Sequence, residues 1–107
     1  MLRLPEPIAA YIAATNASDA DALARCFAAE GRVHDEKQDH VGPQAIAAWA
    51  ADTQEKYRFR AEPLSLAVNG EKTVLTARVA GAFLNSPITL DHAFELKDGK
   101  IVSLKIG

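Results

Sequence analysis

Cysteine is nearly absent: Cys26 is the only one among 107 residues. A lone thiol forms no internal disulfide and no multi-thiolate metal site. Its neighbours in Leu23-Ala-Arg-Cys-Phe27 are mostly apolar, so it reads as a buried packing thiol. Basic residues are not in excess, and the formal net charge is −2. Without a cationic footprint for phosphate backbones, no nucleic-acid partner is expected. No segment approaches the ~20 apolar residues of a membrane span, so no membrane partner is expected either. The opening Met1-Leu-Arg-Leu-Pro5 lacks the long apolar run of a signal peptide, which makes a cytoplasmic location the expectation. Internal repeats, low-complexity tracts and linkers are also missing, which predicts one domain over residues 1–107. What the chain does have is apolar character, 49% of its residues, which excludes disorder. A domain this small is only marginally stable alone, so a homodimer sharing a buried face is expected.

The first half has helical spacing. Pro7 suits a first helical turn, where its missing N–H would be unpaired anyway. Ile8, Tyr11, Ile12 and Thr15 then lie on one helix face. Asn16-Ala-Ser18 interrupts that helix, and Ser18 or Asp19 can cap a second. Its buried stripe is Leu23, Cys26 and Phe27, and Gly31 marks its end. Arg32 to Glu36 alternates as a short strand, and the polar stretch from Lys37 to Gly42 reads as a loop. Pro43 opens a third helix, with Ile46, Trp49, Ala50, Thr53 and Tyr57 on one face.

In the second half the period becomes two. Leu64, Leu66 and Val68 alternate, and Asn69-Gly70 signals a hairpin. Leu75, Ala77, Val79 and Phe83 are assigned to one face of the next strand, and Asn85-Ser-Pro87 turns the chain. Leu90, His92, Phe94 and Leu96 then share a face, opposite Asp91, Ala93 and Glu95. Asp98-Gly99 leads into a last strand from Ile101 to Ile106. Helices followed by a run of hairpins predict an α+β fold with an antiparallel sheet.

Several segments match a known pattern in joint order. They are Tyr11-Ile-Ala-Ala-Thr-Asn-Ala-Ser-Asp19, Val33-His-Asp-Glu36, Gly42-Pro-Gln-Ala-Ile46 followed by Trp49, Lys56-Tyr57, Ser86-Pro87 and Phe94-Glu-Leu-Lys-Asp-Gly-Lys-Ile101. With these the chain resembles the SnoaL-like and ketosteroid-isomerase-like branch of the nuclear-transport-factor-2-like superfamily. The resemblance implies a cone: a curved, mostly antiparallel sheet wrapped around the three helices of the N-terminal half, with a pocket at the wide end. It implies a homodimer through the outer sheet face and needs no cofactor. The cone hosts isomerases, cyclases, hydrolases and proteins without known catalysis, so fold alone names no reaction.

In the isomerases of that family a carboxylate base moves a proton beside a carbonyl, while a tyrosine and a second acid donate to the developing enolate. Asp35 matches the base position and shares a strand face with Val33, so an interior face would desolvate it and raise its pKa. Its alternative is a rim carboxylate bonded to nearby backbone. Tyr11 matches the donor tyrosine; its alternative is a core tyrosine with a satisfied hydroxyl. At the third position register places His92, not Asp91, toward the interior, which puts steroid-type isomerisation in doubt. An imidazole there can donate a hydrogen bond or act as base, or it can be a core histidine satisfied by Tyr11 or Asp35.

Phe27, Trp49, Tyr57, Phe83 and Phe94 are read as core residues that also line the pocket, with His40 reaching over its mouth. His34, Glu36, Asp39 and His40 surround Asp35, but alternation separates their side chains and no metal is expected. Arg78 is placed on the solvent side or in a dimer interface. The function these readings imply is binding of a compact, largely apolar carbonyl compound, by a protein that, if an enzyme, is an isomerase, cyclase or hydrolase type without cofactor. The alternative is a non-catalytic ligand-binding or dimerisation module of the same fold.

Overall fold

The computed structural model describes residues 2–107, so Met1 of the opening stretch lies outside the described residues. In chain order its elements are α1 (Glu6–Asn16), α2 (Ala20–Arg25), β1 (Phe27–Asp35), β2 (Gln38–Val41), α3 (Pro43–Tyr57), β3 (Arg60–Asn69), β4 (Lys72–Ala80), β5 (Ile88–Lys97) and β6 (Lys100–Ile106). The strands form one curved six-stranded sheet in the order β2-β1-β6-β5-β4-β3. All neighbouring pairs are antiparallel except β1 with β6, which is parallel. The class is therefore α+β, with a mostly antiparallel sheet, as the sequence predicts.

Alternation in the strands and helical spacing in the first half bring one set of apolar residues together. Ile8 from α1, Ile46 from α3, Val33 from β1, Leu75 from β4, Phe94 from β5 and Ile101 from β6 are all fully buried in one cluster. Burying each such side chain contributes roughly 1.5–3 kcal/mol. Two side-chain amides then clasp helices to sheet. Asn16 exchanges two hydrogen bonds with the backbone of Ala61 on the edge strand β3, at 2.8 and 2.9 Å. Gln54 donates to the carbonyls of Thr15 and Phe59 and accepts from the Phe59 N–H. Asp19, not Ser18, caps α2, accepting from the Ala22 N–H at 3.0 Å.

Several expectations need correction. The second helix stops at Arg25, and Phe27 to Gly31 belongs to β1. Phe27 pairs with Ile101, and the pairing is irregular before it resumes at Arg32. Gly31 is needed in that irregular stretch because a Cβ there would stand 2.9 Å from the Ala28 carbonyl oxygen and from Phe27 Cβ. Ala28-Ala-Glu30 thus spans the break between two paired segments of β1 despite its helix preference. The polar stretch after Lys37 is also not a loop: β2 pairs with β1 from Gln38 to Val41. Its two-residue turn is Glu36-Lys37, both at positive φ (51° and 64°).

The β3–β4 turn sits one residue later than the Asn69-Gly70 reading: Asn69 pairs with Lys72, so Gly70-Glu71 forms it. A register shift between Pro63 and Ser65 breaks the alternation, leaving Leu64 and Val68 exposed while Leu66 packs on the core. Phe83 does not belong to the β4 face, because β4 ends at Ala80 and Phe83 lies in the connection to β5.

Candidate active-site cavity

A cavity of about 520 Å³ lies between the inner sheet face and α1 and α3. Tyr11, Asp35, Trp49, Tyr57, Phe83 and His92 all reach it, from six different places in the chain. Its apolar wall is completed by Phe59, Val79, Ile88, Leu90 and Ile106.

Asp35 ends β1 at the cavity wall and is half-buried. Its Oδ2 accepts a hydrogen bond from Trp49 Nε1 at 3.1 Å. Burial pushes its carboxyl above the ordinary range, and the indole hydrogen bond opposes that shift; the neighbouring Glu36 charge adds to it. Among the described residues no cationic side chain pairs with Asp35.

Tyr11 is buried at 4% exposure and is reached from three sides by rings. Phe94, Phe27 and His92 stand at centroid distances of 5.4, 6.3 and 6.4 Å, each edge-on. These contacts fix the ring, and Thr15, one turn further along α1, is close enough to act on the hydroxyl and lower its pKa. Burial, and then the Asp35 charge, push the phenol well above its usual value, so it stays protonated and remains a donor.

His92 is 4% exposed and points inward, whereas Asp91 is exposed on the other face and accepts from the Thr76 hydroxyl at 2.8 Å. Burial lowers the imidazole pKa, against the hydrogen bond to Leu90. His92 Nδ1 lies 3.3 Å from the Leu90 carbonyl oxygen. A carbonyl only accepts, so this contact favours the tautomer with the proton on Nδ1 and the lone pair on Nε2. In that tautomer a neutral ring accepts at Nε2, which suits the base role considered for His92 more than the donor role.

Phe27, Phe94 and His40 are expected at the pocket but do not line it. Phe27 and Phe94 stand behind Tyr11 as core. His40 rests on the Trp49 ring at 6.0 Å between centroids instead of reaching over the mouth. His34 bonds Asp39 at 2.8 Å across the hairpin, which lowers the Asp39 pKa. Among the described residues no three histidine, cysteine or acidic side chains converge as a metal site.

Trp49, Tyr57 and Phe83, expected at the pocket, do line it, but the contacts that form its mouth were not foreseen. Tyr57 Oη donates to Glu36 at 3.3 Å, and its ring meets Phe83 edge-on at 5.9 Å. Phe83 is held there because Gly81 lies against the end of α3, where a Cβ would come within 2.6 Å of the Tyr57 carbonyl oxygen. The Gly81 N–H also bonds Ser86 Oγ at 2.9 Å. The signal was Gly81, whose role depends on a contact with the distant residue Tyr57. Phe59 was missed for a similar reason: it follows a left-handed Arg58 (φ 46°) that turns the chain out of α3.

A curved sheet closed over three helices, with an apolar cavity carrying a few inward polar groups, defines the nuclear-transport-factor-2-like cone. Within that class the model of the SnoaL-like domain matches residues 8–104, and the chain belongs to that family. It is similar in structure to a candidate polyketide cyclase from Sinorhizobium meliloti, with TM-score 0.92 and 38% identity over 97% of this chain and 95% of that one. A protein of ketosteroid-isomerase-like fold from Catenulispora acidiphila, crystallised in complex with trimethylamine, gives 0.85 at 20% identity over 98% and 86%. The epoxide hydrolase/cyclase-like enzyme SalBIII, of pyran ring formation in polyether salinomycin, gives 0.80 at 20% identity over 94% and 86%. The two last likenesses show the fold alone. No curated protein matches the chain significantly.

Proposed function

We propose that the protein binds a compact, largely apolar carbonyl compound and catalyses a cofactor-independent proton transfer on it, of isomerase or cyclase type. The observation that carries this reading is the convergence of Asp35 and Tyr11 on one apolar cavity. Asp35 removes a proton from carbon beside the carbonyl. Its raised pKa brings it closer to a useful base, and the Trp49 N–H holds the carboxylate in place. Tyr11 donates to the oxygen on which charge develops, and its protonated hydroxyl at the cavity wall suits that task. His92 Nε2 accepts from a hydroxyl of the ligand or from the enol product. The likeness to the Sinorhizobium candidate polyketide cyclase supports the cyclase-type reading.

The test is α-proton exchange of a panel of small ketones in heavy water, followed by proton NMR. Wild type is expected to exchange at least one of them. Asp35→Asn is expected to slow that exchange about 100-fold or more, and Tyr11→Phe by about 100-fold. Equal exchange by wild type and Asp35→Asn would remove the base assignment and leave the non-catalytic binding module. We also propose that two copies pair through the outer sheet face, which carries exposed charges of both signs from β3, β4 and β5.

A further inference from the structure

We infer that the compound bound in this cavity carries a compact alkylammonium group, seated between the Asp35 carboxylate and the aromatic rings of the wall; this rests on the carbonyl-binding reading above and narrows its substrate class.

Charge accounting inside the cavity favours a cation. Asp35 is the one carboxylate set into the wall; its side-chain partner, the Trp49 N–H, is neutral. Tyr11 and His92 beside it are held neutral by burial, and His34, which also borders the cavity, is bonded to Asp39 at 2.8 Å. A second carboxylate, Glu36, stands at the mouth and is close enough to act on Asp35. Lys37 and Lys105 also border the cavity, but both are exposed and neither pairs with Asp35. The half-buried negative charge therefore has no countercharge from the protein, and an anionic ligand would meet it unscreened.

The rings supply the other half of the site. Tyr11, Trp49, Tyr57, Phe59 and Phe83 all contribute to the wall. The negative faces of aromatic rings attract alkylammonium ions, most strongly where water is excluded. The mouth already shows this attraction within the chain, since Lys56 Nζ sits 5.0 Å from the Tyr57 ring centroid.

An ammonium group is also compatible with the proposed chemistry. When a proton moves from carbon to Asp35, the negative charge moves from the carboxylate to the substrate oxygen. Net charge in the cavity is unchanged, and a fixed positive charge nearby compensates both states.

The experiment compares 2-hydroxyethyl-trimethylammonium with 3,3-dimethylbutan-1-ol, which has the same shape and no charge. Binding to the full chain is read from Trp49, the single tryptophan, by fluorescence titration and confirmed by amide NMR shifts. The cation is expected to bind at least about tenfold more tightly than its carbon analogue. Asp35→Asn is expected to remove most of that preference. Equal affinity for the two probes, tighter binding of the neutral one, or binding of neither overturns the inference, as does an unchanged preference in Asp35→Asn. If ketones undergo Asp35-dependent exchange and the cation has no advantage, the inference falls and the proton-transfer reading stands. Cation preference without any Asp35-dependent exchange gives the reverse result.

Discussion

At Asp35 the fold carries a carboxylate in a place that water would serve better. Its pKa is raised in the folded state, mainly by burial, so the folded chain binds more protons than the unfolded chain between the ordinary carboxylate pKa and the raised one. Stability contributed by this residue is therefore largest at low pH and falls as pH rises through that window. Asp35→Asn keeps an acceptor for the Trp49 N–H and removes the buried charge. It is expected to raise the melting temperature at pH 7, with the gain vanishing below about pH 4, near the ordinary carboxylate pKa. Thermal melts across pH check this, and a lower melting temperature at pH 7 would contradict the burial argument. His92 has the opposite pH dependence. Its folded pKa is depressed, so its contribution is complete above about 6.5 and is lost as pH falls below that value. Its inward position was legible before any coordinates, because alternation counted back from the Asp98-Gly99 turn assigns each β5 residue to a face. The tautomer was not legible, since it depends on the Leu90 carbonyl.

Among the elements, the β1–β2 hairpin shows what sequence patterns conceal. Its turn holds Glu36 and Lys37 at positive φ, a conformation that costs side-chain-bearing residues roughly 1–2 kcal/mol each. Neither residue is a usual signal for such a turn, so the sequence reads as a loop. The strain is located at the cavity mouth, where Glu36 meets Tyr57 and both turn residues border the opening. Replacing the pair by Asn and Gly (Glu36→Asn with Lys37→Gly) is expected to stabilise the chain by about 1–2 kcal/mol. Urea denaturation measures it, and no gain would show that the turn is unstrained. The start of β1 misled in the other direction: Ala28-Ala-Glu30 favours helix locally, but it lies between Phe27 and Arg32, which both pair with β6, far away in the chain. The three helices and the strands β4 to β6 were readable because each buries one regular face. Phe59 was not, because an irregular segment places it, and Phe83 was read at the pocket but on the wrong element.

For the molecule as a whole, helices cover the inner sheet face, and the outer face stays open. Cross-strand ion pairs Lys72–Glu95 (3.3 Å) and Arg78–Glu62 (3.8 Å) lie there in exposed positions. Each alone is worth little, roughly 0–1 kcal/mol, so their value to a folded monomer is small. A self-complementary face of mixed charge suits a twofold pairing instead. Sedimentation is expected to show a dimer whose dissociation constant rises with salt and rises at least about tenfold in Arg78→Glu. A monomer at every concentration would contradict the pairing. The cavity itself follows from the curvature of the sheet and the distance α1 and α3 keep from its wide end; side-chain periodicity alone does not give its volume.

The parallel pairing of β1 with β6 also has a consequence for how the chain is made. β6 sits between β1 and β5, so the sheet lacks a central strand until residues 100–106 have been synthesised. Until then β1 has only its hairpin partner, and β5 exposes an unpaired edge beside Phe94 and His92. Emerging chains therefore present two adhesive edges during translation, a state prone to association with neighbouring nascent chains. The stretch that completes the sheet is also the stretch that protects it, and the cavity wall is finished in the same step, when Ile106 arrives.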